Sequence, residues 1–515
     1  MRAPSPRPHR LAGRRFLGSA LALALCLVGP GSAALPRPAH AAPATASKAA
    51  APDEQAELAE RIDDALSESF LAEAQVGVSV VDLETGVTLV DHGASVALNP
   101  ASNVKLVTTA AALGILGPAH RYTTAVYHKE DALVGSTIRG DLYLQGHGDP
   151  ALVTANLYEL AGKLRARGIE KVTGGIIVDA SAFDRDELPP GFDQKQELAA
   201  YRAPSGATVV NFDSFEVHVR PADAVGKAPF AGVAPPVAGV QLTVTATTEA
   251  GGGRELLADY DAKDDHIELG LRGTLGVDSS ATSFRYPIDD PSRYAGELLA
   301  LVLQRQGISV GRKTIKTGKV PRKAELLAAH NSAPLGVLIR SVNKFSNNFM
   351  AEQILKTIDA DPGPASFEGA LARVREHLQG RGVPVEGLRL GNGSGLYDTN
   401  RVSPATFTAL LASVYADERI RPDFMASLAI MGVDGTTRSR LKDTPYAGWL
   451  RVKTGTLDGV SALSGYAGAA GRKPLAFSIV FNGLRKWDTG RARKVQDRIA
   501  ELLARYAAGA PLSGD

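Results

Sequence analysis

Cysteine is all but missing from this 515-residue chain, and the single one, Cys26, lies in an apolar run close to the N-terminus. Its position excludes disulfides, thiolate catalysis and cysteine-ligated metals from everything downstream. The ten histidines are scattered and contain no His-x-x-x-His pair, which argues against a zinc peptidase, and we expect neither a metal nor a cofactor. Charge is also scarce in net terms: 57 Lys and Arg against 55 Asp and Glu leave +2, with no signal for nucleic acid. Aromatic residues make up only 6%, yet 44% of the chain is hydrophobic, enough for a sizeable core in more than one domain.

At the N-terminus, Arg10, Arg14 and Arg15 precede the apolar run Phe16 to Val28, and Ala39-His40-Ala41 offers a small-residue cleavage site. This reads as a secretory signal peptide over 1–41, since the run ends at Gly29-Pro30 and is short for a bilayer span. Residues 42–52, rich in Ala, Pro, Thr and Ser, read as a flexible spacer. We therefore expect an extracytoplasmic, periplasmic protein with no stable membrane insertion after cleavage.

Three short strings carry the chemistry: Ser102-Asn103-Val104-Lys105, Ser346-Asn347-Asn348 and Lys453-Thr454-Gly455. A serine hydroxyl needs a base to become a nucleophile, and a lysine three residues later on a helix lies on the same face. Asn99-Pro100 reads as a turn delivering Ser102 to a helix N-terminus, where free backbone N–H groups suit a developing oxyanion. Lys105 acts as a base only when neutral, so its pKa is expected to be depressed by burial, by the positive helix end and by the nearby Lys453. Gly455 is expected to let a substrate backbone approach closely.

The chain contains decoys: Ser341-Val342-Asn343-Lys344, Ser439-Arg440-Leu441-Lys442 and Lys316-Thr317-Gly318. Context separates them. Only Ser102 stands at a turn-to-helix junction before an apolar run, and only Lys453 leads into two apolar strand patterns, Val460 to Tyr466 and Leu475 to Phe481.

With Gly146-His147-Gly148-Asp149-Pro150, Ala203-Pro204-Ser205, Glu352 closing the run from Lys344, Gly393-Ser394-Gly395-Leu396 and Lys453 to Leu457, the three strings resemble the D-alanyl-D-alanine carboxypeptidase/endopeptidase group of low-molecular-mass (class C) penicillin-binding proteins. The resemblance covers nearly the whole chain after 41. It implies an α/β (α+β) penicillin-recognising serine DD-peptidase/β-lactamase-like fold with inserted β-rich domains. It further implies Ser102 as nucleophile, Lys105 as general base, and Ser346 and Asn348 as proton relay and substrate amide contact. Lys453 and Thr454 would recognise the substrate's terminal carboxylate, Gly455 and Thr456 would line the same strand, and the N–H groups of Ser102 and Thr456 would form the oxyanion site. The implied partners are peptidoglycan peptides and β-lactams. A β-lactamase and a non-catalytic, penicillin-sensing wall binder are the alternatives.

On this reading a catalytic domain comprises 53–126 and 285–515. An amphipathic helix from Asp53 to about Leu71 and a hairpin over 77–90, turning at Glu84-Thr85-Gly86, precede the nucleophile. Residues 127–284 read as an insertion of β segments such as Gly175–Asp179, Thr208–Asp213 and Val240–Thr245, with a turn at Gly251–Gly253. In such an insertion the resemblance implies that an acid can meet the amine of the stem peptide's third residue; Asp184, Asp186 and Glu187 are candidates, though each reads first as part of a solvated acidic turn, and Asp149 reads as a turn former. Asn347, Asn392 and Tyr397-Asp398 depart from the family pattern and bear on peptide specificity. The last stretch, Arg491 to Tyr506, reads as an amphipathic helix packed on the sheet.

Overall fold

A computed structural model describes residues 52–513 apart from 313, 362 and 469–472. The signal-peptide and spacer readings over 1–51 lie outside the described residues. Among the described residues no helix is long and apolar enough to cross a membrane.

The part that carries Ser102, Ser346 and Lys453 is built on a six-stranded antiparallel sheet. The hairpin strands Gln75–Asp82 and Thr88–His92 form one end, with Gly86 at positive φ in the turn. The order then runs through Leu475–Asn482, Val460–Ala467 and Leu450–Leu457 to the two-residue strand Ala429–Ile430. Val460–Ala467 and Leu475–Asn482 are buried at every position because both sheet faces are covered.

On one face lie the terminal helices Pro52–Leu66 and Thr489–Ala508, which bury Leu58, Ile62, Val495, Ile499, Leu503 and Tyr506 against Phe477, Ile479 and Phe481. The first helix stops at Leu66; Ser69–Leu71 is a separate 3₁₀ turn, so the expected helix to Leu71 is shorter by a turn. On the other face a helical layer includes Val104–Leu116, Leu335–Phe345, Asn348–Thr357 and Pro404–Ala416.

The inserted part is wider than 127–284 and is not purely β. Thr123–Lys129 pairs with Ala324–Asn331, closing a five-stranded sheet with Leu142–Gly146, Ile176–Asp179 and Ile315–Thr317. Helices Thr154–Ala166 and Pro291–Arg305 bury Leu157, Leu160, Leu298 and Val302 in the same core as these strands. Val240–Val244 is a strand as expected. Thr208–Asp213 is not: Asn211, Phe212 and Asp213 all have positive φ and form a turn. Asn211 and Asp213 tolerate that region, and their side chains accept from the backbone N–H of Thr154 and Val210, which favours the turn over a strand ladder.

Candidate active site

Ser102 sits on a strained, braced turn. Ser102 belongs to a 3₁₀ turn, Ala101–Asn103, that feeds the helix Val104–Leu116, and Ala101 has φ of 45°. Asn99 holds this turn: its Oδ1 accepts from the Ala101 N–H at 2.9 Å, and Asn482 grips the Asn99 backbone from both sides, at 2.7 and 2.9 Å. Asp398 accepts from Asn99 Nδ2, so one of the departures from the family pattern supports the nucleophile turn. Gly455 is needed for a close approach within the protein itself: a Cβ there would lie 2.5 Å from the Pro100 carbonyl oxygen. Gly395, at positive φ, faces the Ala101 carbonyl in the same way.

Lys105 is fully buried one helical turn after Ser102. Its Nζ lies 3.0 Å from Ser102 Oγ, 2.8 Å from Asn348 Oδ1 and against the carbonyl of Ser394. Burial lowers its pKa from 10.5 to about 7, opposed by the negative charge of Glu352. The expected depression is therefore present, with burial as its main cause. A neutral amine has two N–H groups and one lone pair. Asn348 Oδ1 and the Ser394 carbonyl can only accept, so they take the two hydrogens and leave the lone pair for the Ser102 hydroxyl.

Ser346 ends the helix Leu335–Phe345 in a left-handed conformation, and Asn347 caps the next helix by accepting from the Met350 N–H. This pair of helix ends presents Ser346 and Asn348 to the cleft. Lys453 Nζ donates to Ser346 Oγ at 2.9 Å and to the Thr454 carbonyl at 2.7 Å, and it has no exposure at all. Burial, then the neighbouring Lys105, push its pKa well below the usual value. Thr454 Oγ1 shares a 2.9 Å hydrogen bond with Thr436 Oγ1.

Ser102, Ser346, Thr454, Gly455 and Thr456 line a cleft of about 590 Å³. One edge of Leu450–Leu457 pairs with Val460–Ala467; on the other, Ala429–Ile430 covers only Arg451 and Val452. From Lys453 onward that edge has no strand partner among the described residues, and it faces the nucleophile turn.

Glu352 belongs to the site although its chemistry was not evident from sequence. It is buried in the helix Asn348–Thr357 and accepts from the N–H groups of Gly393 and Ser394 at 2.9 and 2.8 Å. Burial raises its pKa, and Lys105 and those hydrogen bonds oppose the rise. A carboxylate directly after the apolar run Phe349-Met350-Ala351 was the available signal. Asn392, next to this loop, uses its amide hydrogens on Thr399, Leu396 and Pro190 and its oxygen on Gly395 and Asn400. A carboxylate could not make the bonds to the Leu396 and Pro190 carbonyls.

Two of the decoys are accounted for locally, whereas Ser439 of the third lines the cleft itself. Lys344 is ion-paired with Asp434, Asn343 is buried against Thr109 and Ser427, and Lys316 lies on an exposed edge strand of the insert. Of the acidic candidates, Asp184 pairs with the fully buried Lys356 at 2.6 Å, and burial beside Asp290 raises Glu187 to about 7. Asp186 is exposed, and its backbone carbonyl accepts from Lys356. Asp149 accepts from the Ala151 N–H within its turn. Among the described residues no group of three or more His, Cys, Asp or Glu is placed to hold a metal.

A mixed sheet-and-helix domain carrying a Ser-x-x-Lys turn, a Ser-x-Asn helix junction and a Lys-Thr-Gly strand around one cleft defines the penicillin-recognising class. The architecture matches the crystal structure of penicillin binding protein 4 (dacB) from Haemophilus influenzae with a TM-score of 0.75 at 24% identity, over 86% of this chain and 99% of that one. Residues 58–506 match the model of the D-Ala-D-Ala carboxypeptidase 3 (S13) family, and the chain belongs to that family of low-molecular-mass penicillin-binding proteins. It is 35% identical to a D-alanyl-D-alanine carboxypeptidase of an Actinomadura species over 98% of this chain and 94% of that one. It is also 26% identical to the D-alanyl-D-alanine carboxypeptidase DacB of Haemophilus influenzae, over 82% and 89%.

Proposed function

We propose that the chain is an exported serine D-alanyl-D-alanine carboxypeptidase that also cleaves D-alanyl cross-links as a DD-endopeptidase, through an acyl-enzyme on Ser102. The observation that carries this reading is the set of three contacts of Lys105 Nζ, which leaves its lone pair for the Ser102 hydroxyl. Ser102 Oγ attacks the penultimate D-alanyl carbonyl and gives its proton to Lys105. The C–N bond then breaks, and the leaving amine takes a proton by way of Ser346, which Lys453 holds in place. Water hydrolyses the ester and restores the serine.

The unpaired edge from Lys453 to Thr456 supports backbone pairing with the peptide, as an added strand. On this reading the hydroxyls of Thr454 and Thr456 meet its carboxyl end, and Asn348 meets an amide of the acyl portion. A relative structure, penicillin binding protein 4 of Haemophilus influenzae, is complexed with a β-lactam, and β-lactams are expected to acylate Ser102 here. Export rests on the signal-like segment 1–41.

The test is incubation of the protein and its Ser102→Ala variant with peptidoglycan fragments ending in D-Ala-D-Ala and with cross-linked dimers, followed by mass spectrometry. Release of D-alanine and of monomers that vanishes in Ser102→Ala is the expected result. Release that persists in the variant would refute the site. A penicillin adduct on Ser102 without peptide turnover would identify a sensor, and rapid loss of that adduct without peptide turnover a β-lactamase.

A further inference from the structure

Lys453 leaves a question of charge in the cleft. It is fully buried and engaged with Ser346 and the Thr454 carbonyl, so its ammonium does not reach the space in front of the strand. The leaving group of a D-alanyl peptide ends in a carboxylate, and an anion in a partly enclosed cleft is stabilised by a nearby cation. The wall beyond Thr456 supplies three cations, Arg440, Arg493 and Lys494, against one carboxylate, Asp497.

Arg440 is committed. Its Nε donates to Asp497 at 2.6 Å, and its Nη2 reaches the Arg493 carbonyl and Gln496 Oε1, each at 3.3 Å. Arg493 is exposed, has no carboxylate within ion-pair distance among the described residues, and places Nη2 3.4 Å from Thr456 Oγ1. Its position is fixed by its helix: Ala492, Val495 and Ile499 are buried on the sheet, and Gln496 Nε2 donates to Ser461 Oγ at 3.1 Å. Ser461 is the register partner of Thr456.

We propose that Arg493, from the C-terminal helix, is the counter-ion for the carboxylate of the leaving group, with Thr456 as its hydroxyl partner. This rests on the DD-peptidase reading and moves the recognition of charge from Lys453 to a residue 40 positions later. A planar guanidinium offers a carboxylate two parallel donors, which a lysine at the same place does not.

The experiment measures kcat/KM for two N-acyl-D-alanyl thioesters, one releasing thioglycolate and the other its methyl ester, with the full chain and its Arg493→Ala, Arg493→Lys and Lys494→Ala variants. Wild type is expected to favour the charged leaving group by about 10- to 100-fold. Arg493→Ala brings the ratio close to one, Arg493→Lys restores part of it, and Lys494→Ala keeps the wild-type ratio. Circular dichroism reports the fold of each variant. Ser102-dependent cleavage with an unchanged ratio in Arg493→Ala, or an equal loss in Lys494→Ala, overturns this inference alone. Absence of Ser102-dependent cleavage of either thioester overturns the peptidase reading and this inference with it.

Discussion

Lys105 and Glu352 hold the same residue from two sides: Lys105 Nζ donates to the Ser394 carbonyl, and the Glu352 carboxylate accepts the Ser394 N–H at 2.8 Å. Glu352 thus shapes the loop that takes one hydrogen from the base, and its charge raises the pKa that burial depresses. Since Lys105 works when neutral, acylation is expected to increase as pH rises through about 7. In Glu352→Gln the opposing charge is gone, so the rising limb of the penicillin acylation profile moves to lower pH. The variant also loses part of the loop clamp, costing about 1–3 kcal/mol of stability by thermal unfolding. An unmoved limb would show that Glu352 has no electrostatic hold on the base.

Lys105→Met tests the cost of keeping that base neutral. The folded pKa of about 7 lies below the ordinary 10.5, so between these values the unfolded chain binds the proton more firmly. Stability of the wild type therefore increases with pH across this window, and the destabilisation from Lys105 is fully present below it. The stability of Lys105→Met relative to wild type should fall by about 1.4 kcal/mol per pH unit across the middle of the window. Denaturant titrations at a series of pH values measure it; a difference that is flat with pH would mean that Lys105 titrates normally. Acylation by penicillin should drop by about 10²- to 10⁴-fold in the same variant.

What could be read from the sequence was chemistry tied to short spacing. Ser102 and Lys105 meet because a helix places them there, and the hairpin at Glu84-Thr85-Gly86 forms because alternation and a turn glycine agree. The C-terminal helix was legible through Val495, Ile499 and Tyr506, which are buried. Long-range contacts were not. Nothing in the sequence places Arg493 beside Thr456, because that neighbourhood depends on Gln496 docking on Ser461, the strand partner of Thr456. Thr208–Asp213 was misread because β-branched and aromatic residues suggest a strand, while Asn211 and Asp213 have side-chain partners that favour left-handed backbone. The close approach of Gly455 to the protein's own Pro100 was likewise not legible, because it joins a strand to a turn more than 350 residues earlier in the chain.

Gly455→Ala follows from that contact. A methyl group would meet the Pro100 carbonyl oxygen at 2.5 Å and Ala101 Cβ at 3.2 Å, and the backbone at Pro100 cannot swing aside as a flexible side chain would. The nucleophile turn must shift by several tenths of an ångström, which we expect to lower the acylation rate by about 10²-fold. Stopped-flow acylation by a chromogenic β-lactam measures this. A variant that keeps the wild-type rate would show that the turn position is not set by the strand.

Asp184 offers the sharpest choice between a structural and a substrate role. Its carboxylate pairs at 2.6 Å with Lys356, which is fully buried among Phe183 and Phe367 and also donates to the Asp186 carbonyl. The pair joins the insert to the helix Asn348–Thr357 that carries Asn348 and Glu352. Removing one partner leaves an unpaired buried ammonium, so Asp184→Asn should lose about 3 kcal/mol, the low end for such pairs because Asp184 is 28% exposed. Adding Lys356→Met in the same chain should recover much of the loss, since no buried ammonium is then left without its counter-ion. If Asp184 instead met the amine of a stem peptide, Asp184→Asn would keep its stability and lose preference for peptides with an amino group on the third residue. Thermal unfolding of the single and double variants, set beside kcat/KM for peptides with and without that amine, separates the two, and the 2.6 Å contact favours the structural role.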